Sequence, residues 1–210
     1  MKEYFTVEGV SEGYYEEKRS KFIGRVAFAA GEREAKEFLA KVKKEHYSAR
    51  HIAYAYVIGE HYDKEKFFDD GEPSGTAGAP IIDAIKKREL TNTVVVVVRY
   101  FGGIKLGAAG LTRAYGKAAG DALEKAEKVA MLPFKVVKLS FEYSLLSLIE
   151  HYLRTHEIKV NESDYGEKVS FDVLLPIKEA EKIRADLVDI TSGKILSKEL
   201  GQTWGPSSIS

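Results

Sequence analysis

The densest run of side chains able to do chemistry in this 210-residue chain is DDGEPSGTAGAP, Asp69 to Pro80. Asp69, Asp70 and Glu72 set three carboxylates within four residues, Ser74 and Thr76 add hydroxyls, and Pro73 stiffens the turn. Carboxylates this close together suit Mg²⁺ or a general base. They suit equally the first turn of a helix predicted over residues 81–87, where side-chain oxygens accept from free backbone N–H groups and offset the dipole. Both readings stand at this level. No histidine is spaced to complete a triad and no serine sits in a GxSxG elbow, so nucleophilic hydrolysis is not indicated. His46 and His51 lie five apart, which is not the i, i+4 spacing of a helical metal pair; a structural hydrogen bond is expected of His46.

A second candidate is GGIKLGAAG, Gly102 to Gly110. Backbone N–H groups at a helix start beside Lys105 favour an anion. The alternative is that the glycines only form a tight turn and let the helix pack closely. Neither GxxxxGK[ST] nor GxGxxG is present. Between Arg99 and Lys117 the charged residues are Arg99, Lys105, Arg113 and Lys117, all positive, with Tyr100, Phe101 and Tyr115 interleaved. In a chain with 32 charges of each sign, this run suits phosphates and bases. With Gly102 and Gly103 it forms the expected nucleic-acid or anion-binding edge. The opposing reading puts Tyr115 in the core and Phe101 over the sheet.

The elements that must hold these loops are legible around them. TVVVVVRYF, Thr93 to Phe101, carries five consecutive valines and predicts a central strand buried on both faces. LTRAYGKAAGDALEKAEK then spaces Leu111, Ala114, Tyr115, Ala118 and Ala122 as a helix. Upstream, residues 4–7 and 14–28 read as strands of a hairpin turning at GVSEG, and residues 32–46 as an amphipathic helix whose lysines form a solvated face. HIAYAYVIG alternates Ile52, Tyr54, Tyr56 and Ile58 against small residues; its tyrosines are either core or a base-stacking platform. The two loops are expected to bring Asp69, Asp70 and Glu72 to Lys105 in a polar cleft at the strand end.

DDGEPSGTAGAP followed by VVVRYFGGIKLGAAGLTRAYGKA resembles the signature of the IMPACT/YigZ family. The sequence departs at Ala109, where the family's GAGG has glycine, and it looks like the bacterial type, without the RWD domain of eukaryotic members. The resemblance implies an α+β protein with a ribosomal-protein-S5-domain-2-like first domain and a small ferredoxin-like, split βαβ second domain. It also places His51 at a family position near the loops and implies a role in translation control.

Composition limits the alternatives. At 44% hydrophobic and 30% charged residues, with no cysteine, the chain reads as globular, without disulfides or thiolate metal sites. MKEYFTVEG has no apolar leader and no run approaches a membrane span, so a cytoplasmic protein without membrane contact is expected. Scarce Asn, Gln and Met beside abundant Lys, Arg and Glu point to a heat-adapted, thermophile source. A boundary is expected where proline stops the long helix near residues 131–133, giving domains 1–132 and 133–200 and an irregular tail, 201–210. After it, FKVVKLSFEY reads as a strand, SLLSLIEHYLRTHE as a helix capped by Ser144, VSFDVLL as a half-buried strand and residues 177–190 as a helix. The expected function is a translation-associated regulatory factor that binds RNA, the ribosome or translation partners through the glycine-loop edge. A small-molecule enzyme acting on a phosphorylated substrate, with Mg²⁺ on Asp69 or Asp70, and a protein-binding adaptor are the alternatives.

Overall fold

The computed structural model describes residues 3–207. They are a mixed α+β chain with antiparallel sheets, and they divide into two compact units, one of Tyr4–Val129 and one from Ala130 onward.

In the first unit, β1 (Tyr4–Glu8) precedes a five-stranded sheet. That sheet holds β2 (Val10–Glu17), β3 (Ser20–Phe28), β4 (His51–Ile58), β5 (Lys64–Phe68) and β6 (Thr93–Tyr100), in the order β2-β3-β6-β4-β5. Helix α1 (Glu32–Glu45) covers one face; α2 (Gly78–Lys86) and α3 (Gly107–Lys125) cover the other. The valine run explains the layering. Side chains alternate across a strand, so Val95 and Val97 enter the core beneath α2 and α3, while Val94, Val96 and Val98 join Ala35, Val42, Tyr56 and Ile58 beneath α1. Fully burying each valine is worth about 1.5–3 kcal/mol, which makes β6 the axis of the unit. α3 lies close on the sheet through an alanine stripe: a Cβ on Gly24 would come within 2.4 Å of the Ala118 carbonyl oxygen.

The second unit holds β7 (Glu127–Phe141, entering from the first unit), α4 (Leu146–Thr155), β8 (Val160–Tyr165), β9 (Val169–Pro176), α5 (Ala180–Ile190) and β10 (Leu196–Pro206). Its strands run antiparallel in the order β10-β7-β9-β8. Its own core includes Leu139, Phe141, Ile149, Phe171, Val173 and Leu187.

Four local expectations are corrected. The hairpin is β2–β3, turning at Lys18 and Arg19 with φ of 49° and 64°, not at GVSEG; a left-handed turn built from lysine and arginine carries no glycine or asparagine signal. The long helix stops at Lys125, and Pro133 lies inside β7. The β9 ladder begins only at Phe134, so proline interrupts no pairing on that side. Residues Gly201–Pro206 are not an irregular tail but pair with residues of β7, Trp204 opposite Pro133; residues 208–210 lie outside the described part. Ser144 sits in a single 3₁₀ turn, Tyr143–Leu145, and does not cap α4.

Candidate functional site

Sheet register builds the floor of the site. Arg99 at the end of β6 is directly opposite Phe22 of β3 and His51 of β4, so the three side chains share the face that carries α2 and α3. Where the alternation of Val95 and Val97 would place another apolar residue, it places a guanidinium that is only 6% exposed. Such a charge needs a partner. Arg99 Nη1 donates to Glu72 Oε1 at 2.6 Å, and the Tyr115 hydroxyl donates to the same oxygen at 2.8 Å. Burial, then the Glu72 charge, pushes the Tyr115 hydroxyl well above its ordinary range, so it stays a donor. The guanidinium also stands 5.6 Å from the centre of the Phe22 ring and 5.5 Å from that of Phe101. Its Nε–H is buried and has no acceptor among the described residues.

The acidic loop is organised differently from a metal site. Asp69 Oδ1 accepts from the backbone N–H groups of Ala77 and Gly78 at 3.0 and 2.8 Å, and Oδ2 from Gly75 at 2.9 Å. It therefore anchors the start of α2, which begins at Gly78, three residues before the expected start. Asp70 Oδ2 accepts from Ile52 N at 2.7 Å, and the Asp70 carbonyl accepts from His51 Nδ1 at 2.8 Å, which fixes the proton of a neutral His51 on Nδ1. The Thr76 hydroxyl donates to the Pro73 carbonyl, and Ser74 is exposed. Each carboxylate is thus already held by its own donors, and no group of three or more His, Cys, Asp or Glu able to hold a metal ion occurs among the described residues.

Burial alone would raise the Asp69 carboxyl, but the N–H groups of Gly75, Gly78 and Ala77 outweigh it and hold the group below its ordinary value. Asp69→Ala should cost about 1–2 kcal/mol at neutral pH through loss of this cap. A depressed carboxylate contributes stability that is fully present above the unfolded pKa of about 3.9 and is lost as pH falls through the lower folded value. The gap between wild type and Asp69→Asn in urea unfolding should therefore shrink between pH 6 and pH 2.5; a gap independent of pH would contradict the charged cap.

The glycine loop ends earlier than expected, because α3 already begins at Gly107. The first turn of α3 carries no acidic residue and no side-chain cap, so its free N–H groups face no carboxylate of their own. Gly107 and Ala108 from this turn border a cleft of about 360 Å³ together with Arg50 and His51 at the start of β4. Glu72 and Pro73, Arg99 and Phe101, and Lys105, Leu106 and Leu111 complete the walls. The cleft is bordered by three cations, one histidine and one carboxylate, and that carboxylate is paired with Arg99. Such a balance beside a helix N-terminus favours an anion.

Of the sequence candidates, His51, Glu72, Arg99 and Lys105 border this cleft, and Asp69 and Asp70 do not. Tyr100 is on the opposite face of the sheet, where its hydroxyl and His46 Nδ1 are 2.9 Å apart. Arg113 pairs with Glu17 of β2, and Lys117 Nζ lies 4.8 Å from the centre of the Tyr15 ring; neither borders the cleft. The run from Arg99 to Lys117 looked uncompensated because its acids, Glu72 and Glu17, stand 27 and 96 residues away. Gly102 and Gly103 do not line the cleft. Tyr56 is core, 2% exposed, with its hydroxyl donating to Glu32, and Tyr54 stacks beside it; neither offers a base-stacking face as a platform would. Ala109 is exposed on the first turn with ordinary φ, so its methyl group crowds nothing. Arg50 went unnoticed in the sequence; adjacency to His51 at a strand start was its one signal.

Comparison with known proteins covers both units. Residues 18–123 match the Impact N-terminal domain, and residues 139–194 match a domain of unknown function, DUF1949. The chain is 42% identical to the IMPACT family member YvyE of Bacillus subtilis, over 93% of this chain and 90% of that protein. It is 37% identical to the IMPACT family member YigZ of Escherichia coli, over 85% and 88%. A crystal structure described as that of a hypothetical protein shares 34% identity and a TM-score of 0.66, covering 94% of this chain and 97% of its own. Matched along both its units to proteins of one family and at these identities, the chain belongs to the IMPACT family.

Proposed function

We propose that this chain is a translation-associated regulatory factor that binds RNA, free or on the ribosome, through the cleft at the start of α3. The observation that carries the reading is the convergence of Arg50, Arg99 and Lys105 on an uncapped helix N-terminus, with the one carboxylate already paired. Because the whole chain is neutral, affinity must come from this local concentration of charge. The family resemblance to translation regulators supplies the context. We further read the first unit as ribosomal-protein-S5-domain-2-like and the second as ferredoxin-like; the β-α-β-β-α-β element order and the β10-β7-β9-β8 strand order support the latter. An enzyme on a phosphorylated substrate is the weaker reading, since Asp69, Asp70 and Glu72 are all engaged by structural donors.

The test is fluorescence anisotropy with single-stranded RNA across a salt series. Lys105→Glu should weaken binding about tenfold or more, and removing one phosphate contact should lower the log–log salt slope by about 0.7. Arg113→Glu, outside the cleft, and Lys43→Glu on α1 are matched charge reversals that should change little. Binding that is insensitive to salt, or equally reduced by all three, would overturn the assignment.

A further inference from the structure

We infer that the cleft takes a phosphomonoester, either the terminal phosphate of an RNA strand or that of a free nucleotide, in preference to the phosphodiesters of a strand interior. The inference rests on the RNA-binding reading above and narrows it.

Three independent features lead to it. The first is charge. A phosphodiester carries one negative charge, whereas a monoester carries about 1.5–2 at neutral pH and offers three strong acceptor oxygens. Arg50 and Lys105 remain as cations after the Arg99–Glu72 pair is set aside, and the α3 N-terminus adds its partial positive charge. That matches a dianion and exceeds what a single diester needs.

The second is rigidity. Arg99 lines the cleft at 6% exposure, and its Nε–H lacks an acceptor among the described residues, although Nη1 is firmly held by Glu72. That Nε–H is closed to solvent, so no ligand oxygen reaches it; Arg99 instead contributes a wall locked in orientation by Glu72 and the two rings, so an anion entering beside Arg50 and Lys105 meets a site that need not reorganise. The Glu72–Tyr115 hydrogen bond holds this arrangement from behind.

The third is shape. A cleft of about 360 Å³ is near the lower end of small-ligand cavities, the scale of one nucleotide rather than of a groove. A groove that tracks a strand needs positive charge at successive phosphates. Along α3 Arg113 is paired with Glu17 and Lys125 with Asp121, which leaves Lys117, over the Tyr15 ring and outside the cleft, as a single positive charge rather than a continuing row. Phe101, 42% exposed, with Leu106 and Pro73, leaves an apolar wall beside the anion site for a single base or sugar.

The experiment compares one RNA decamer carrying a 5′-hydroxyl, a 5′-phosphate or a 3′-phosphate, with adenosine 5′-monophosphate and inorganic phosphate as competitors. A phosphorylated end should bind at least tenfold tighter than the hydroxyl form. Ala108→Asp puts a carboxylate on the exposed first turn of α3, where it suits the helix dipole and so should preserve or raise the melting temperature, yet it should abolish the preference. Equal, salt-sensitive binding of all three RNAs would overturn the inference and leave RNA binding intact. If no RNA binds but adenosine 5′-monophosphate does, the monoester site stands for a free nucleotide and the RNA reading fails. If none of the probes binds, both fail.

Discussion

Glu72→Ala should destabilise the first unit by about 3–5 kcal/mol, because it leaves the Arg99 charge and the Tyr115 hydroxyl buried without their shared acceptor. In thermal unfolding this corresponds to a midpoint roughly 10–20 °C lower. The loss reports the uncompensated charge, not the worth of the pair. Accordingly, Glu72→Leu combined with Arg99→Met and Tyr115→Phe should recover most of the stability, since apolar replacement of all three partners removes the desolvation cost along with the attraction. The same triple variant should lose anion binding, which separates the folding role of the cluster from its role in the cleft. A loss below about 1 kcal/mol for Glu72→Ala would mean that the pair behaves as an exposed one.

That pair also shows where the sequence stops being informative. The strand itself was legible: five valines in a row admit a two-sided burial and little else, and the amphipathic spacing of α1 placed its buried Ala35 and Val42 correctly. What the spacing could not show is which charge meets which. Arg99 and Glu72 are brought together by the antiparallel register of β4 and β6 and by the return of the acidic loop, and Arg113 meets Glu17 only because α3 packs across β2. A local count of like charges is blind to such partners. For the same reason Asp69 and Asp70, which look like a chelating pair, point their oxygens at backbone donors of α2 and β4. β5 was missed because KEKFF carries charges and lies wholly exposed at a sheet edge, where no apolar alternation is required. The proline of β7 was misread as a helix stop because its ladder partner is Trp204 of β10, 71 residues later in the chain. Arg50 contributes to the cleft only through the position of its strand start against the glycine loop, a tertiary fact.

The glycine loop yields the other large effect, and it separates two reasons for conserving backbone freedom in adjacent positions of one chain. A Cβ on Gly102 would lie 2.1 Å from the Arg19 carbonyl carbon and 2.4 Å from Ser20 N, all backbone atoms that cannot rotate aside. The neighbouring turn has no slack, since Lys18 and Arg19 are already left-handed, and Gly102 N donates to Ser20 Oγ at 3.1 Å. Gly102→Ala must therefore push the loop off the β2–β3 turn, and the expected loss is about 3 kcal/mol, at the upper end for overpacking. Gly103 has no atom near its would-be Cβ, but its φ of +87° makes any L side chain strained, at a cost of about 1–2 kcal/mol. The two variants should also differ in function. Gly102→Ala displaces the segment that carries Phe101 and Lys105 and should weaken RNA binding about tenfold, whereas Gly103→Ala, whose strain is local and exposed, should stay within about threefold of the wild type. Paired urea titrations and anisotropy measurements decide it: if Gly103→Ala proves the more damaging in both, the loop is not held against the turn as described, and the cleft is not positioned by that contact.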